Sequence, residues 1–170
     1  MLFRSPIICA KQAASVDRLA GSRFRLGVGA GVSAEEMANH GARFDQRHLA
    51  MREHVEAMRA IWSGGVVEYH GRTVDFGPLR AGPRPARIGG PPIFVSGDGP
   101  RAHERVLRYG DGWMFRAGEV LPLGLSKRMS AFREACHRAG RGRLPVIAVD
   151  MAHRPSDLEA YAAAGVDETL

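Results

Sequence analysis

The sequence predicts an α/β protein with a parallel sheet covered by helices, and two observations carry that reading. Strand-like and helix-like segments alternate along most of the chain, and the strand-like segments are continuous apolar runs without apolar–polar alternation. Strands buried on both faces have that character. The clearest unit runs from Ile93 to Trp113. An apolar run, Ile93 to Ser96, breaks into Gly97-Asp98-Gly99-Pro100. An amphipathic segment then continues through Tyr109, and Gly110-Asp111-Gly112 leads into a second run, Trp113-Met114-Phe115. This is strand, glycine turn, helix, glycine turn, strand.

The other elements follow in order. Pro6 opens a helix to Leu19, with Ile8, Ala13, Val16 and Leu19 at roughly helical spacing and Gly21 as the stop. Phe24 to Gly29 is the next strand. Arg47 to Trp62 reads as a helix with His48, Met51, Val55, Met58 and Ile61/Trp62 on one face and Arg52, Glu53, Glu56 and Arg59 on the other. Arg52 and Glu56 stand four residues apart, which adds minor support. Val66 to Tyr69 and Thr73 to Phe76 flank His70-Gly71-Arg72 as a short hairpin, and Pro83, Pro85, Pro91 and Pro92 make a stiff lead into Ile93. After Trp113 come a helix from Leu125 to Ala139, a strand from Pro145 to Val149, a helix from Ser156 to Ala164 and a strand start at Val166 to Leu170. Ser156, followed by Asp157 and Glu159, is the expected N-cap.

The glycines of the first turn in the 93–113 unit have two readings. They let backbone amides approach an anion, most often a phosphate, at the positive end of the following helix, or they only close a tight turn. Gly27, Gly29 and Gly31 are likewise open between two readings. Their spacing does not match the dinucleotide fingerprint, and no acidic residue stands at the expected distance. They form either a strand end that a flat ligand approaches closely or small packing positions.

Composition narrows the classes. Hydrophobic residues make up 45% of the chain, no apolar run approaches membrane-spanning length, and the first residues lack a signal-type apolar stretch. The reading is a soluble, cytoplasmic protein. Cys9 and Cys136 are expected as reduced, buried helix residues. No Cys/His cluster has metal-ligand spacing, so no metal is expected. The net charge of +6 comes from basic residues that are arginine in all but two of 24 cases. They are scattered through every segment, with local concentrations only at Arg80 to Arg87 and Arg138 to Arg143 in expected loops, which argues against nucleic-acid binding.

Several stretches in register resemble the bacterial-luciferase-like family of flavin-dependent oxidoreductases. They are Ala10-Lys11-Gln12 through Leu19, Ser22 through Gly31, and Glu36 with His40-Gly41-Ala42-Arg43-Phe44 and Arg47. Glu53 to Trp62, His70-Gly71, Pro83-Arg84-Pro85, Pro91-Pro92-Ile93 and Gly110-Asp111-Gly112-Trp113 complete the set. The resemblance implies a partial TIM (β/α)₈ barrel, about strands 4 to 8, with the helix and hairpin as an excursion between strands 4 and 5. A full barrel takes about 250 residues. The chain is therefore expected to be a single luciferase-like domain fragment over 1–170 that lacks the first three βα units and the last helix. On this reading Met1 to Pro6 corresponds to the loop after the third strand.

The same resemblance implies FMN or the deazaflavin F420 as cofactor, with F420 slightly favoured, and hydride transfer or oxygen insertion on a small organic substrate. The cofactor-binding positions it implies are Gly29, Gly31, Ser96, Gly97, Asp98 and Gly99. Gly97 to Gly99 are expected at the phosphate, where a Cβ on Gly99 is expected to press on the amides. Asp98 and Val32 depart from the family pattern, and a carboxylate beside a phosphate is unfavourable unless it turns away. Catalytic groups are expected mainly in the absent units, and His40 is the remaining candidate, against an ordinary helix-terminal role. Glu36 and Arg47 are expected to pair with each other or with backbone amides, Asp17 and Asp111 to serve helix-to-strand joints, and Trp62 and Trp113 to be core. The expected partners are a small-molecule substrate and, in the full-length form, a second copy of the chain. The alternative is a non-catalytic subunit or inactive fragment that pairs with a complete barrel.

Overall fold

The computed structural model of the protein describes residues 4–117, 122–150 and 155–170. The chain divides into two compact units, one ending at Pro92 and the other beginning at Ile93.

In the first unit, Ser5 caps helix α1 (Pro6–Leu19), its hydroxyl accepting from the Ile7 amide at 3.3 Å. Helix α1 packs on α3 (Arg47–Ser63). The face of α1 that is buried is made of Ala10, Ala13, Ala14 and Asp17, whereas Ile8, Val16 and Leu19 are exposed. Small side chains let two helices approach closely, so alanines fill the contact and the larger residues are displaced from it. The Trp62 indole of α3 donates to the Ala10 carbonyl at 3.0 Å. The fully buried Asp17 accepts from the amides of Ala86 and Arg87 at 2.9 and 3.1 Å, a structural role that ties α1 to the distant proline-rich segment.

Strand β1 (Leu26–Val28) is shorter than the strand expected over Phe24 to Gly29. Helix α2 (Ala34–Asn39), implied only by the helix-terminal reading of His40, and a 3₁₀ turn at Phe44–Gln46 add to the expected element order. Their signal stands in the sequence: Ser33 precedes Glu36 by three residues, and its hydroxyl accepts from the Glu36 amide at 3.1 Å. Arg47 donates to the Phe44 carbonyl at 2.9 Å and stacks 3.8 Å above the Phe44 ring, so its partner is a carbonyl and an aromatic face. Strands β2 (Val67–His70) and β3 (Asp75–Leu79) pair antiparallel, with Tyr69 opposite Phe76 and His70 opposite Asp75.

Two residues of α3 correct the expected helix faces. His48 is exposed, and Glu53, assigned to the polar face, is 3% exposed. Its carboxylate accepts from the amides of Arg72 (3.0 Å), Thr73 (2.7 Å) and Val74 (3.1 Å) and from the Thr73 hydroxyl (2.5 Å), tying the hairpin turn to the helix. Gly71 makes this possible, because a Cβ there would stand 2.7 Å from the Glu53 carboxylate. The expected Arg52–Glu56 pair is present at 3.5 Å.

The second unit repeats strand and helix: β4 (Ile93–Ser96), α4 (Pro100–Tyr109), β5 (Gly112–Arg116), α5 (Pro122–Arg138), β6 (Val146–Val149), α6 (Pro155–Ala163) and β7 (Glu168–Thr169). All strands pair parallel in the order β4-β5-β6-β7. Trp113 stands at its aromatic centre, its ring centroid 5.0 Å from those of Phe115 and Phe132. In two of the three helix-to-strand joints, α4–β5 and α6–β7, an aspartate secures a neighbouring strand. Asp111 accepts from the Ile93 amide and Asp167 from the Val146 amide, both at 2.8 Å. Gly112 sits opposite Phe94, where a Cβ would meet the ring at 2.3 Å.

Helix α6 begins at Pro155, so Ser156 lies inside its first turn and is not the N-cap. Proline at a first helical position needs no amide donor, which makes it a natural starter. Cys136 is buried as expected, but Cys9 is only half-buried, with burial pushing its thiol above the ordinary value. The expected correspondence of Met1 to Phe3 with a barrel loop lies outside the described residues. Among the described residues, no helix is long and apolar enough to cross a membrane.

Candidate cofactor site

The loop from Ser96 to Gly99 is shaped by two glycines with positive φ. Gly97 has φ +143°, and a Cβ on it would lie 3.1 Å from Ala102 Cβ and 3.3 Å from Arg105 Nη2. Gly99 is the N-cap of α4, with φ 76° and ψ −179°, a conformation close to glycine-only. A Cβ on Gly99 would meet nothing within 4 Å beyond its chain neighbours, so the constraint that the structure shows there is conformational.

Backbone bonds hold this loop in place. The Gly97 amide donates to the Met114 carbonyl at 3.2 Å, and the Gly97 carbonyl accepts the Trp113 indole N–H at 2.7 Å. The Gly99 carbonyl accepts from Ala102 and His103 at 2.9 and 3.1 Å. None of these bonds uses the amides of Asp98, Gly99 or Arg101, which belong to the positive end of α4.

The charge of Asp98 is answered within the unit, because Arg128 of α5 forms an ion pair with it. The unfavourable carboxylate is thereby turned to a cation. Arg105, one turn and a half into α4, reaches back over the loop, as helical side chains lean toward the N-terminus. Behind the loop, His103 is 6% exposed, edge-on to Trp113 at 4.7 Å and 5.0 Å from Phe132. Burial pushes its pKa below the ordinary value; Asp98 raises it and Arg128 lowers it by smaller amounts, so the ring is mainly neutral at pH 7.

The remaining candidates lie in the first unit. Gly29 follows β1 and is half-buried, and Gly31 is exposed with φ +82° and its Cβ position 3.8 Å from the Met37 sulfur. His40 is the exposed C-cap of α2, the helix-terminal place that was the alternative to a site role. It also borders a cleft of about 350 Å³ with Arg4, His54, Thr73 and Phe76. A second cleft, about 440 Å³, lies beside α1 and β1 and is lined by Cys9, Gln12, Val16, Phe24 and Leu26. Thus Ser96 to Gly99 form one local constellation, while Gly29, Gly31 and His40 belong to another part of the chain. Arg105 and Arg128 were missed from the sequence. Only the helical phase of Arg105 relative to Gly97 hinted at the first, and nothing local hinted at the second.

The sequence matches the model of the luciferase-like monooxygenases over residues 1–169, through both units. It is 32% identical over 166 residues to an uncharacterized protein of Mycobacterium tuberculosis, covering 97% of this chain and 58% of that protein. It is also 32% identical over 141 residues to the F420-dependent glucose-6-phosphate dehydrogenase of Nocardia farcinica, covering 81% and 41%. The chain thus spans about half the length of these curated relatives. Among solved structures, an F420-dependent secondary alcohol dehydrogenase in complex with an F420–acetone adduct is similar with a TM-score of 0.79 at 18% identity, over 96% of this chain and 68% of that one. That likeness gives the fold as part of a TIM-type α/β barrel, and the match over nearly every residue means that this chain belongs to the luciferase-like monooxygenase family.

Proposed function

We propose that the protein is an oxidoreductase that uses F420 or FMN on a small organic substrate, and that Ser96, Gly97, Asp98 and Gly99 hold the cofactor's phosphate. The observation that carries this reading is the glycine loop at the start of α4, in a chain of this family, with the Asp98 charge already paired to Arg128. The loop suits a phosphate on three counts. No side chain stands at Gly97 or Gly99, amides at the start of α4 are outside the loop's internal bonds, and the adjacent carboxylate is neutralised. When bound, the flavin or deazaflavin ring supplies the hydride or oxygen chemistry, while the chain binds, orients and shields it from water.

F420 is the favoured cofactor. A relative at 32% identity is named F420-dependent, and an arginine-rich chain suits a ligand with a phosphodiester and an acidic tail. Fluorescence titration of the protein with both cofactors tests this. Tighter binding of F420 is expected. A preference for FMN of tenfold, about 1.4 kcal/mol, would reverse the choice, and binding of neither refutes the proposal in favour of a non-catalytic subunit.

A further inference from the structure

We infer that Arg105 is the charged ligand for the phosphate in the Ser96–Gly99 loop, and that the Asp98–Arg128 pair exists to keep Arg105 available for it. This rests on the cofactor reading above and adds residues to it that neither the family match nor the named relatives assign.

Arg105 is half-buried, and its Nη2 atom lies over Gly97, 3.3 Å from where a Cβ would stand. Its Nε is buried without a hydrogen-bond partner, and no hydrogen bond or ion pair of its guanidinium is present among the described residues. A guanidinium partly withdrawn from water with no acceptor is costly, because it has given up hydration without replacement. Among the described residues of this unit, Arg101 and Arg108 are exposed to water, and the other half-buried arginines, Arg128, Arg133 and Arg141, are paired or hydrogen-bonded. Arg133 and Arg143 pair with Asp167, Arg138 with Glu134, and Arg141 donates to the Leu107 and Gly110 carbonyls. Arg105 is the half-buried arginine of this unit without a partner among the described residues, and it stands where Gly97 and Gly99 leave the backbone bare at the start of α4.

Asp98 is the natural competitor, since it lies next to Gly97 in the chain. Its carboxylate is instead held by Arg128, reaching across from α5. Two positive groups and one negative group at the loop leave a net positive charge, matched to a phosphate monoester or diester. A planar guanidinium can take two phosphate oxygens at once, a geometry that a lysine cannot reproduce.

The test titrates the protein with inorganic phosphate, FMN, F420 and riboflavin, which lacks the phosphate. Arg105→Met is expected to weaken inorganic phosphate, FMN and F420 at least tenfold and to leave riboflavin unchanged. Arg105→Lys is expected to recover only part of the loss. Arg128→Gln is expected to weaken the phosphate-bearing ligands as well, by releasing Asp98 onto Arg105, and the double variant Asp98→Asn/Arg128→Gln to restore them. If the wild type binds FMN or F420 and Arg105→Met and Arg105→Lys both bind them equally well, the role of Arg105 is overturned and the cofactor reading stands. If inorganic phosphate binds in an Arg105-dependent way but neither cofactor does, the anion ligand stands and the cofactor reading falls. A wild type that binds none of the phosphate-bearing ligands overturns both.

Discussion

Replacing Glu53 by alanine should release the β2–β3 hairpin from α3. Four donors converge on its carboxylate, and removing it affects them unequally. The Arg72 amide belongs to an exposed residue and water replaces the lost bond. Val74 is buried, so its amide is left without an acceptor at a cost of about 1–3 kcal/mol. The amide and hydroxyl of half-buried Thr73 add about 1 kcal/mol together. The expected loss is therefore about 3 kcal/mol. Glu53→Gln should cost less, about 1–2 kcal/mol, because one side-chain oxygen still accepts while its amide group meets a backbone donor. Urea denaturation gives the energies, and hydrogen exchange at the Thr73 and Val74 amides gives their location. The pH dependence follows from the same contacts. Burial pushes the Glu53 carboxyl up, but the bonds from the Thr73 hydroxyl and from the Arg72, Thr73 and Val74 amides outweigh it, so the folded pKa lies below the ordinary 4.5. Its contribution is complete above 4.5 and fades as pH falls through the lower folded value, and Glu53→Gln should remove that acid-sensitive part. An alanine variant within about 0.5 kcal/mol of wild type, with unchanged exchange at Val74, would refute the argument.

Two further outcomes concern the second unit. Gly99→Ala should lower the melting temperature as well as cofactor affinity, because φ 76° with ψ −179° costs a non-glycine residue on the order of 1–3 kcal/mol; an affinity loss with an unmoved melting temperature would contradict the conformational account. His103 has a folded pKa below its ordinary 6.5, so the unfolded chain binds more protons below that value. Stability is fully present above pH 6.5 and is lost as pH falls. His103→Phe, which keeps a ring between Trp113 and Phe132 and removes the unpartnered Nε2, should flatten that loss in thermal melts taken across the range, and an unchanged slope would assign it elsewhere.

The sequence by itself determined the order of elements in the second unit and the place of its glycine loop. Buried parallel strands are apolar throughout, and glycine and proline punctuate them, so Ile93 to Ser96 and the turn after it are written locally. Helices α1 and α3 were legible for the same reason, since a proline start and a 3.6-residue period are properties of the segment itself. Their buried faces were less so. Which face of α1 is covered depends on α3, and the contact selects alanines over Ile8, Val16 and Leu19 because backbone proximity outweighs side-chain hydrophobicity there. Tertiary structure alone decided the fate of the charges. Glu53 reads as a solvated residue until a hairpin turn 19 to 21 positions away brings donors to it. Asp98 reads as an obstacle to a phosphate until Arg128, 30 positions on, neutralises it. Arg105 is one arginine among many until the loop places Gly97 beneath it. Periodicity records how a segment meets a core, whereas the partner of a charge is a fact of packing between segments, and no local pattern encodes it.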